Sequence, residues 1–537
     1  MRVQGMRSSQ YHWALSYDVV FELATVWERS MTRHYVEEIL RARVYDVAEE
    51  SPLEIAVRLS DRLGNRILLK REDEQQIFSF KLRGAYNKIF HLDEEARQRG
   101  VVAASAGNHA QGVALAGKRL GVPATIVMPT TTPAIKVDTV RRLGGKAVLK
   151  GDSYDEANEY ALKLAEKKGL SFIHPFDDPL VIAGQGTIGM EILRQHADPI
   201  EAVFVPVGGG GLIAGVAAYI KHVRPDIKVI GVEPEDAPTL HDAMRAGKRV
   251  RLKRVGLFAD GVAVRQIGKE TFRVAKDLVD EVVLVTTDQI CAAIKDVFDD
   301  TRSVAEPAGA LAVAGIKAYL KQNPGLSHKT LVAILSGANV NFDRLRHVAE
   351  RAEVGEQREA LLAVEIPEKP GSFLRFCRLL GRRGITEFNY RFADAKAAQV
   401  FCGVELRAGS AERVALIEML ADKGYPVVDM TDNETAKLHI RYMVGGHAPQ
   451  AVNERLYRFS FPERPGALLD FLSGLSRGWN ISLFHYRNHG AAYGRVLVGI
   501  QLDKGQGKEF EGFLKELGYN YTEETDNPAY RLFASGG

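Results

Sequence analysis

Lys81 stands in Ser79-Phe-Lys-Leu-Arg-Gly84. Before it, Arg66-Ile-Leu-Leu-Lys70 reads as a short buried strand, and after it residues 82–90 carry the apolar spacing of a helix. A lysine at such a strand-loop-helix junction feels the positive end of the helix dipole and, if buried, a desolvation cost on its charged form. Both lower its pKa, and a neutral amine is what condensation with an aldehyde requires. A lone lysine at a helix start is usually a solvated side chain, so its company decides the reading. Ser105-Ala-Gly-Asn-His-Ala-Gln-Gly112 follows an apolar strand at 100–104 and leads into a small-residue helix at 113–120. Backbone amides at a helix N-terminus bind anions, and Asn108 adds a side-chain amide. His109 is either a base or a helix-start histidine bonded locally. Gly208-Gly-Gly-Gly-Leu-Ile-Ala-Gly215 follows the strand 202–207. Four glycines let several N–H groups turn toward one phosphate, in a pattern that is neither the dinucleotide fingerprint nor the Walker loop. The alternative, a flexible hinge, sits poorly in a strand-to-helix turn. Ser336 ends the strand 330–335, where a side chain points into the ligand crevice of a parallel sheet or else caps a helix.

The elements that position these residues alternate. Strands at 124–128, 147–149, 172–174 and 228–234 interleave with helices at 134–143 and 154–168, a helix opened by Gly184-Gln-Gly-Thr-Ile-Gly-Met-Glu191, a glycine-bearing loop at 258–264 and a helix started by Glu306-Pro-Ala-Gly-Ala310. Repeated strand-helix units imply an α/β architecture with parallel sheet covered on both faces. A helix at 35–47 and Ser51-Pro52-Leu53 form the entry. Of the 537 residues 46% are hydrophobic and 26% charged, and a net charge of +3 from 71 basic and 68 acidic residues implies no nucleic-acid or anionic-membrane partner. No apolar run approaches the ~18 residues of a membrane span. Cys291, Cys377 and Cys402 lack metal-type spacing and read as free thiols in a reducing, cytoplasmic compartment. Residues 1–34 read as an N-terminal extension with a short helix at 19–27 and no secretory signal.

From Arg344 to Glu359 the chain is charged, which suggests a helical linker, bounded here at 347–359. Two segments beyond it echo each other. Leu361-Leu-Ala-Val-Glu-Ile-Pro-Glu-Lys-Pro-Gly371 matches Leu456-Tyr-Arg-Phe-Ser-Phe-Pro-Glu-Arg-Pro-Gly466, and Ile385-Thr-Glu-Phe-Asn-Tyr-Arg391 matches Ile481-Ser-Leu-Phe-His-Tyr-Arg487. Each repeat, at 360–445 and 453–530, reads as a strand, a Pro-Gly turn, an amphipathic helix and two more strands, an α+β unit able to pair with its copy.

Taken in order, the stations at Ser79–Gly84, Ser105–Gly112, Gly208–Gly211 and Ser336–Asn339 resemble the serine/threonine dehydratases, pyridoxal-phosphate enzymes of fold type II, over residues 35–346. The resemblance implies two parallel-sheet subdomains and a covalent attachment of pyridoxal 5'-phosphate to Lys81, which would also be the base for the substrate's Cα proton. It places Phe80 beside the pyridine ring, Gly208, Gly209, Gly210, Gly211 and Leu212 around the phosphate, and Asn108 on the phenolic oxygen. Ser105, Ala106, Gly107, Asn108 and His109 would take the substrate carboxylate. Ser336 would meet the pyridine nitrogen, and a neutral hydroxyl there makes the ring a weaker electron sink, favouring β-elimination. Some relatives bind a divalent cation near the segment matching Glu233–Ala237, but Thr239 stands where a carboxylate is wanted, so no metal is expected.

The paired repeats look like the tandem ACT-like regulatory domain of the biosynthetic threonine deaminases. That resemblance implies dehydration of L-threonine to 2-oxobutanoate and ammonia, on the route to isoleucine, with inhibition by isoleucine relieved by valine; the alternative is that the repeats only build an oligomer interface, and a homotetramer or homodimer is expected. An L-serine dehydratase or serine racemase is the near alternative. A β-replacement enzyme of the cysteine synthase kind is disfavoured by the Ser105–His109 loop, and a non-catalytic amino-acid sensor by the presence of Lys81.

Overall fold

The apolar residues of the runs at 66–70, 100–104, 124–128, 202–207, 228–234 and 330–335 are buried, the condition under which strands pair in parallel within a covered sheet, while 147–149 and 172 lie on sheet edges and are partly exposed. The computed structural model describes residues 33–342, 344–392, 396–438, 440–443, 445–462, 467–475, 479–487, 493–503 and 505–534. Most of the expected N-terminal extension, with its helix at 19–27, and the Pro465-Gly466 turn lie outside them. The chain divides into two compact units at Ala352/Glu353.

The strands of the first unit are β1 (Leu53–Ile55), β2 (Arg66–Arg71), β3 (Val101–Ala104), β4 (Ala124–Met128), β5 (Lys146–Leu149), β6 (Ser171–Phe172), β7 (Ala202–Pro206), β8 (Lys228–Pro234), β9 (Glu281–Val285) and β10 (Thr330–Leu335). They form two sheets, one of six strands ordered β1-β2-β10-β7-β8-β9 and one of four ordered β5-β4-β3-β6. Every pairing is parallel except β1 with β2. The smaller sheet is spliced into the larger between β2 and β7, so the chain crosses the junction twice. The helix Lys81–Phe90 makes the first crossing and the helix Pro179–Gln195 the second.

Those two helices meet backbone to backbone. A Cβ on Gly84 would lie 2.8 Å from Val181 O, and one on Gly184 would lie 2.7 Å from Gly84 Cα. Buried charge pins the same junction. Arg83 donates to Glu72 on one side (Nε to Oε2, 2.8 Å) and to Glu191 on the other (Nη1 to Oε1, 2.5 Å), and Lys70 Nζ lies 2.6 Å from Glu191 Oε2. All four side chains are fully buried, two cations against two anions, the balance a low-dielectric interior requires.

Several boundaries differ from the sequence reading. The helix expected at 35–47 runs only over 33–41, because Val44, Val47 and Ala48 turn inward onto the core of the smaller sheet. The helix expected from Val113 begins at Asn108, and the one expected from Gly184 begins at Pro179, where Asp178 caps the amides of Leu180 and Val181. The strand β9 and its flanking helices Lys269–Leu278 and Thr287–Thr301 were not anticipated. Among the described residues no helix is long and apolar enough to cross a membrane.

The division falls within the last turn of the helix Arg344–Gly355, which fills most of the expected linker. The strands of the second unit are β11 (Glu359–Pro367), β12 (Ile385–Arg391), β13 (Ala397–Glu405), β14 (Val427–Asp429), β15 (Glu454–Pro462), β16 (Asn480–Arg487), β17 (Tyr493–Gln501) and β18 (Asn520–Glu523). Within about the expected bounds each repeat carries a second helix and an edge strand beyond the elements expected, giving strand-helix-strand-strand-helix-strand. The two share one antiparallel sheet ordered β14-β11-β13-β12-β16-β17-β15-β18. The join is β12 on β16, and Asn389 faces His485, the equivalent position of the other repeat. A pseudo-twofold axis therefore passes through that pair. One face of the sheet packs its apolar residues, Phe388, Phe459 and Phe484 among them, into the main core. The other face carries a duplicated polar cluster. In the first repeat Arg441 Nη2 lies 2.7 Å from Glu387 Oε1, beside Glu359 and Thr386. In the second, Glu454 accepts from Ser482, Tyr530 and Arg391, the last reaching across from β12.

Candidate active site

Lys81 is the first residue of its helix, and its side chain runs inward to donate from Nζ to Pro175 O at 3.1 Å. Burial pushes its amine down to about 8, and the nearby Glu306 carboxylate holds it up against a larger fall. The ring of Phe80 lies 5.1 Å from Nζ. The helix Asn108–Leu120 closes on the start of this helix because Gly112 lacks a side chain; a Cβ there would stand 3.0 Å from Lys81 O.

Pro175 and Phe176 bring the glycine turn at Gly208–Gly211 to Lys81. Phe176 packs against the glycine turn so closely that a Cβ on Gly209 would meet its ring at 2.2 Å. Gly210 adopts φ +90, a left-handed conformation, immediately before the helix Gly211–Val223. The carbonyls of the turn are taken up from behind. Gly208 O accepts from Thr239 Oγ1 at 2.8 Å, and Gly209 O from Thr271 Oγ1 at 2.7 Å and Gly268 N at 3.2 Å. Asp177 accepts from the amides of Lys269, Glu270 and Thr271 and so fixes the helix that carries Thr271. The first N–H groups of a helix have no partner within it, so the turn offers the amides at 211 and 212 to an anion.

The remaining stations converge on the same place. Ser336 is buried at the end of β10, with Oγ 3.3 Å from Ala308 O, and its carbonyl accepts from Phe80 N at 3.4 Å. Ser79 bridges to Gly337, tying the lysine loop to the serine loop. Ser105 follows β3, its Oγ accepting from Gly107 N at 3.2 Å. Asn108 Nδ2 donates to Glu306 Oε1 at 2.6 Å, and Asn108 Oδ1 accepts from Asn339 Nδ2 at 2.8 Å. Glu306 is thereby a further candidate for the site; in the sequence its one signal is a carboxylate directly before Pro307, where the chain enters a buried helix.

His109 is buried and bonded to the main chain. Its Nε2 lies 2.9 Å from Ile173 O, and burial, reinforced by Lys81, pushes the imidazole down to about 3. Burial thus favours the neutral ring, with Nε2 held by the main chain, and points to the backbone of His109 as the part that could meet a ligand. Glu233 is occupied as well. It accepts from Thr239 Oγ1, Leu240 N and His241 N, each within 2.9 Å, and caps the helix Thr239–Ala246. Among the described residues no group of three or more His, Cys, Asp or Glu is placed to hold a metal ion.

An amine poised near neutrality, beside a glycine turn that presents helix-start amides to a phosphate, fits pyridoxal phosphate. Residues 44–337 match the family described as pyridoxal-phosphate dependent enzymes, and the fold is type II of that class. Residues 350–440 and 445–534 both match the C-terminal regulatory domain of threonine dehydratase. The biosynthetic L-threonine dehydratase IlvA of Burkholderia multivorans is 60% identical over 93% of this chain and 99% of its own, and that of Escherichia coli 57% identical over 94% and 97%. The processed form of threonine deaminase isoform 2 from Solanum lycopersicum superposes with a TM-score of 0.59 at 55% identity, covering 60% of this chain and 94% of that one. The chain belongs to the biosynthetic threonine dehydratase family.

Proposed function

We propose that the protein dehydrates L-threonine to 2-oxobutanoate and ammonia by β-elimination, and that isoleucine inhibits and valine relieves it through the paired repeats. The reading is carried by the convergence of Lys81 and the Gly208–Gly211 turn on the Pro175–Phe176 segment, in a chain whose relatives are biosynthetic threonine dehydratases along nearly its whole length.

Bound pyridoxal phosphate supplies the electron sink that acidifies the substrate's Cα–H and loosens its β-hydroxyl. The chain's residues do the rest. The amides of Gly208–Leu212 would hold the phosphate, Asn108 would donate to the phenolic oxygen, Phe80 would lie beside the ring and Ser336 would meet its nitrogen. The Ser105–His109 segment holds the substrate carboxylate, with His109 acting only through its backbone. Lys81, kept low in pKa by burial, takes the Cα proton. Isoleucine can inhibit only by preferring one of two states of the enzyme. The enzyme works in the cytoplasm as a homotetramer or homodimer.

The test is 2-oxobutanoate formation from L-threonine by the purified protein and by Lys81→Ala, with and without isoleucine, beside pyruvate formation from L-serine. Activity abolished in Lys81→Ala and suppressed by isoleucine in the wild type is the expected result. Turnover of serine without threonine would replace the substrate assignment, and indifference to isoleucine would reduce the repeats to scaffold.

A further inference from the structure

An asparagine amide has nearly the same shape with its oxygen and nitrogen exchanged, yet one orientation donates where the other accepts. Donation from Asn108 to a cofactor oxygen therefore depends on what fixes its amide. Two groups do so from opposite sides. Asn339 Nδ2 is a donor only, and its own orientation is set by a second bond, to Ile77 O at 2.8 Å. At 2.8 Å from Asn108 it requires the oxygen on that side. Glu306 Oε1, as a carboxylate, can only accept, and at 2.6 Å it requires the nitrogen on the other side. A flipped Asn108 would set NH2 against NH2 and oxygen against carboxylate. In the observed orientation one hydrogen of Nδ2 is spent on Glu306 and the second stays available.

We propose that Glu306 and Asn339 are positioning residues that lock the Asn108 amide in the donating orientation toward the cofactor's phenolic oxygen, an inference that rests on the role given to Asn108 above. The lock has a condition. A protonated Glu306 can donate to a flipped Asn108 oxygen, so the carboxylate form is the one that holds the amide. Burial, reinforced by Asp260, raises Glu306 to about 7, while Asn108, Lys136 and the Asn339 backbone pull the other way, and Lys81 lies close enough to feel its charge. Asp260 is itself paired with Lys136 at 3.2 Å and Arg344 at 3.3 Å. The lock thus tightens as pH rises through neutrality.

Two readouts independent of turnover test it on the holoenzyme: the pH dependence of the cofactor's visible absorption, and pyridoxal phosphate affinity by equilibrium dialysis. The wild type should show a spectral inflection near pH 7. Glu306→Gln, which cannot ionise and, like the protonated acid, can donate to a flipped Asn108, should lose the inflection and keep at every pH the band and affinity that the wild type shows below pH 7. Glu306→Ala and Asn339→Ala should each shift the band and weaken affinity by roughly tenfold, one hydrogen bond's worth. If Asn108→Ala shifts the band while Glu306→Ala and Asn339→Ala, folded by circular dichroism, match the wild type in band and affinity, the lock is wrong and the role of Asn108 stands. If Asn108→Ala changes neither, that role falls and the lock with it.

Discussion

Lys81 and His109 bond to carbonyls two residues apart, at Pro175 and Ile173, and burial moves each toward its neutral form with opposite consequences for function. For Lys81 neutrality is useful, since the free amine is the reactive one. For His109 it removes the ring from proton transfer, because a base with a pKa near 3 has almost no affinity for a proton at neutral pH. The depressed value also links His109 to stability. Below its unfolded value of about 6.5 the unfolded chain takes up a proton that the folded one refuses, so stability present above that pH is lost as pH falls toward 3. By pH 5 the loss amounts to about 2 kcal/mol. Urea unfolding of His109→Gln, whose amide can still donate to Ile173 O, should therefore show a smaller drop between pH 7 and pH 5 than the wild type. An equal drop would mean that the ring is protonated in the folded state.

Close approach of backbones dominates at the scale of elements. The helices Lys81–Phe90, Asn108–Leu120 and Pro179–Gln195 converge through Gly84, Gly112 and Gly184, and the glycine turn fits beneath Phe176 for the same reason. Gly209→Ala would drive a methyl group into the Phe176 ring, with Thr271 and Gly268 holding the turn from behind. The expected outcome is a loss of pyridoxal phosphate affinity of at least roughly tenfold, since misplaced amides no longer meet the phosphate together. Equilibrium dialysis of the folded variant checks this, and unchanged affinity would show that the turn tolerates displacement. The buried Arg83–Glu72–Glu191–Lys70 cluster complements the glycines. They let the helices touch, and the charges allow only one register, because any slip would leave a buried ion without its partner.

At the scale of the molecule, the regulatory unit is one sheet built from two copies, with a shared seam. Arg391 belongs to the first repeat but pairs with Glu454 of the second and donates to Ala534 O at 2.5 Å. The duplication extends further than the segments matched by sequence. Thr431 Oγ1 accepts from Leu361 N and Thr525 Oγ1 from Leu456 N, both at 3.0 Å, within Thr431-Asp-Asn433 and Thr525-Asp-Asn527. Arg391→Met leaves Glu454 buried without its guanidinium, which should destabilise the regulatory unit by about 3–5 kcal/mol. Hydrogen exchange of the β15 and β16 amides should rise accordingly, with effector-free turnover of threonine unchanged. Unaltered protection would mean that Ser482 and Tyr530 suffice to hold the carboxylate.

Much of this was legible locally. Apolar runs bounded by glycine, the Gly208–Gly211 turn and the matched strands at 385–391 and 481–487 are patterns within a few residues of sequence, and each formed the element it suggested. Lys81 could be singled out because its chemistry depends on a helix start and burial, both readable from its neighbours. What the sequence could not decide is which distant groups face one another. Glu306 meets Asn108 across 198 positions, Asn339 meets it across 231, and His109 turns to a carbonyl 64 residues away. Those contacts set hydrogen-bond direction and protonation, and both depend on distance and desolvation in three dimensions, which only the closed tertiary structure creates.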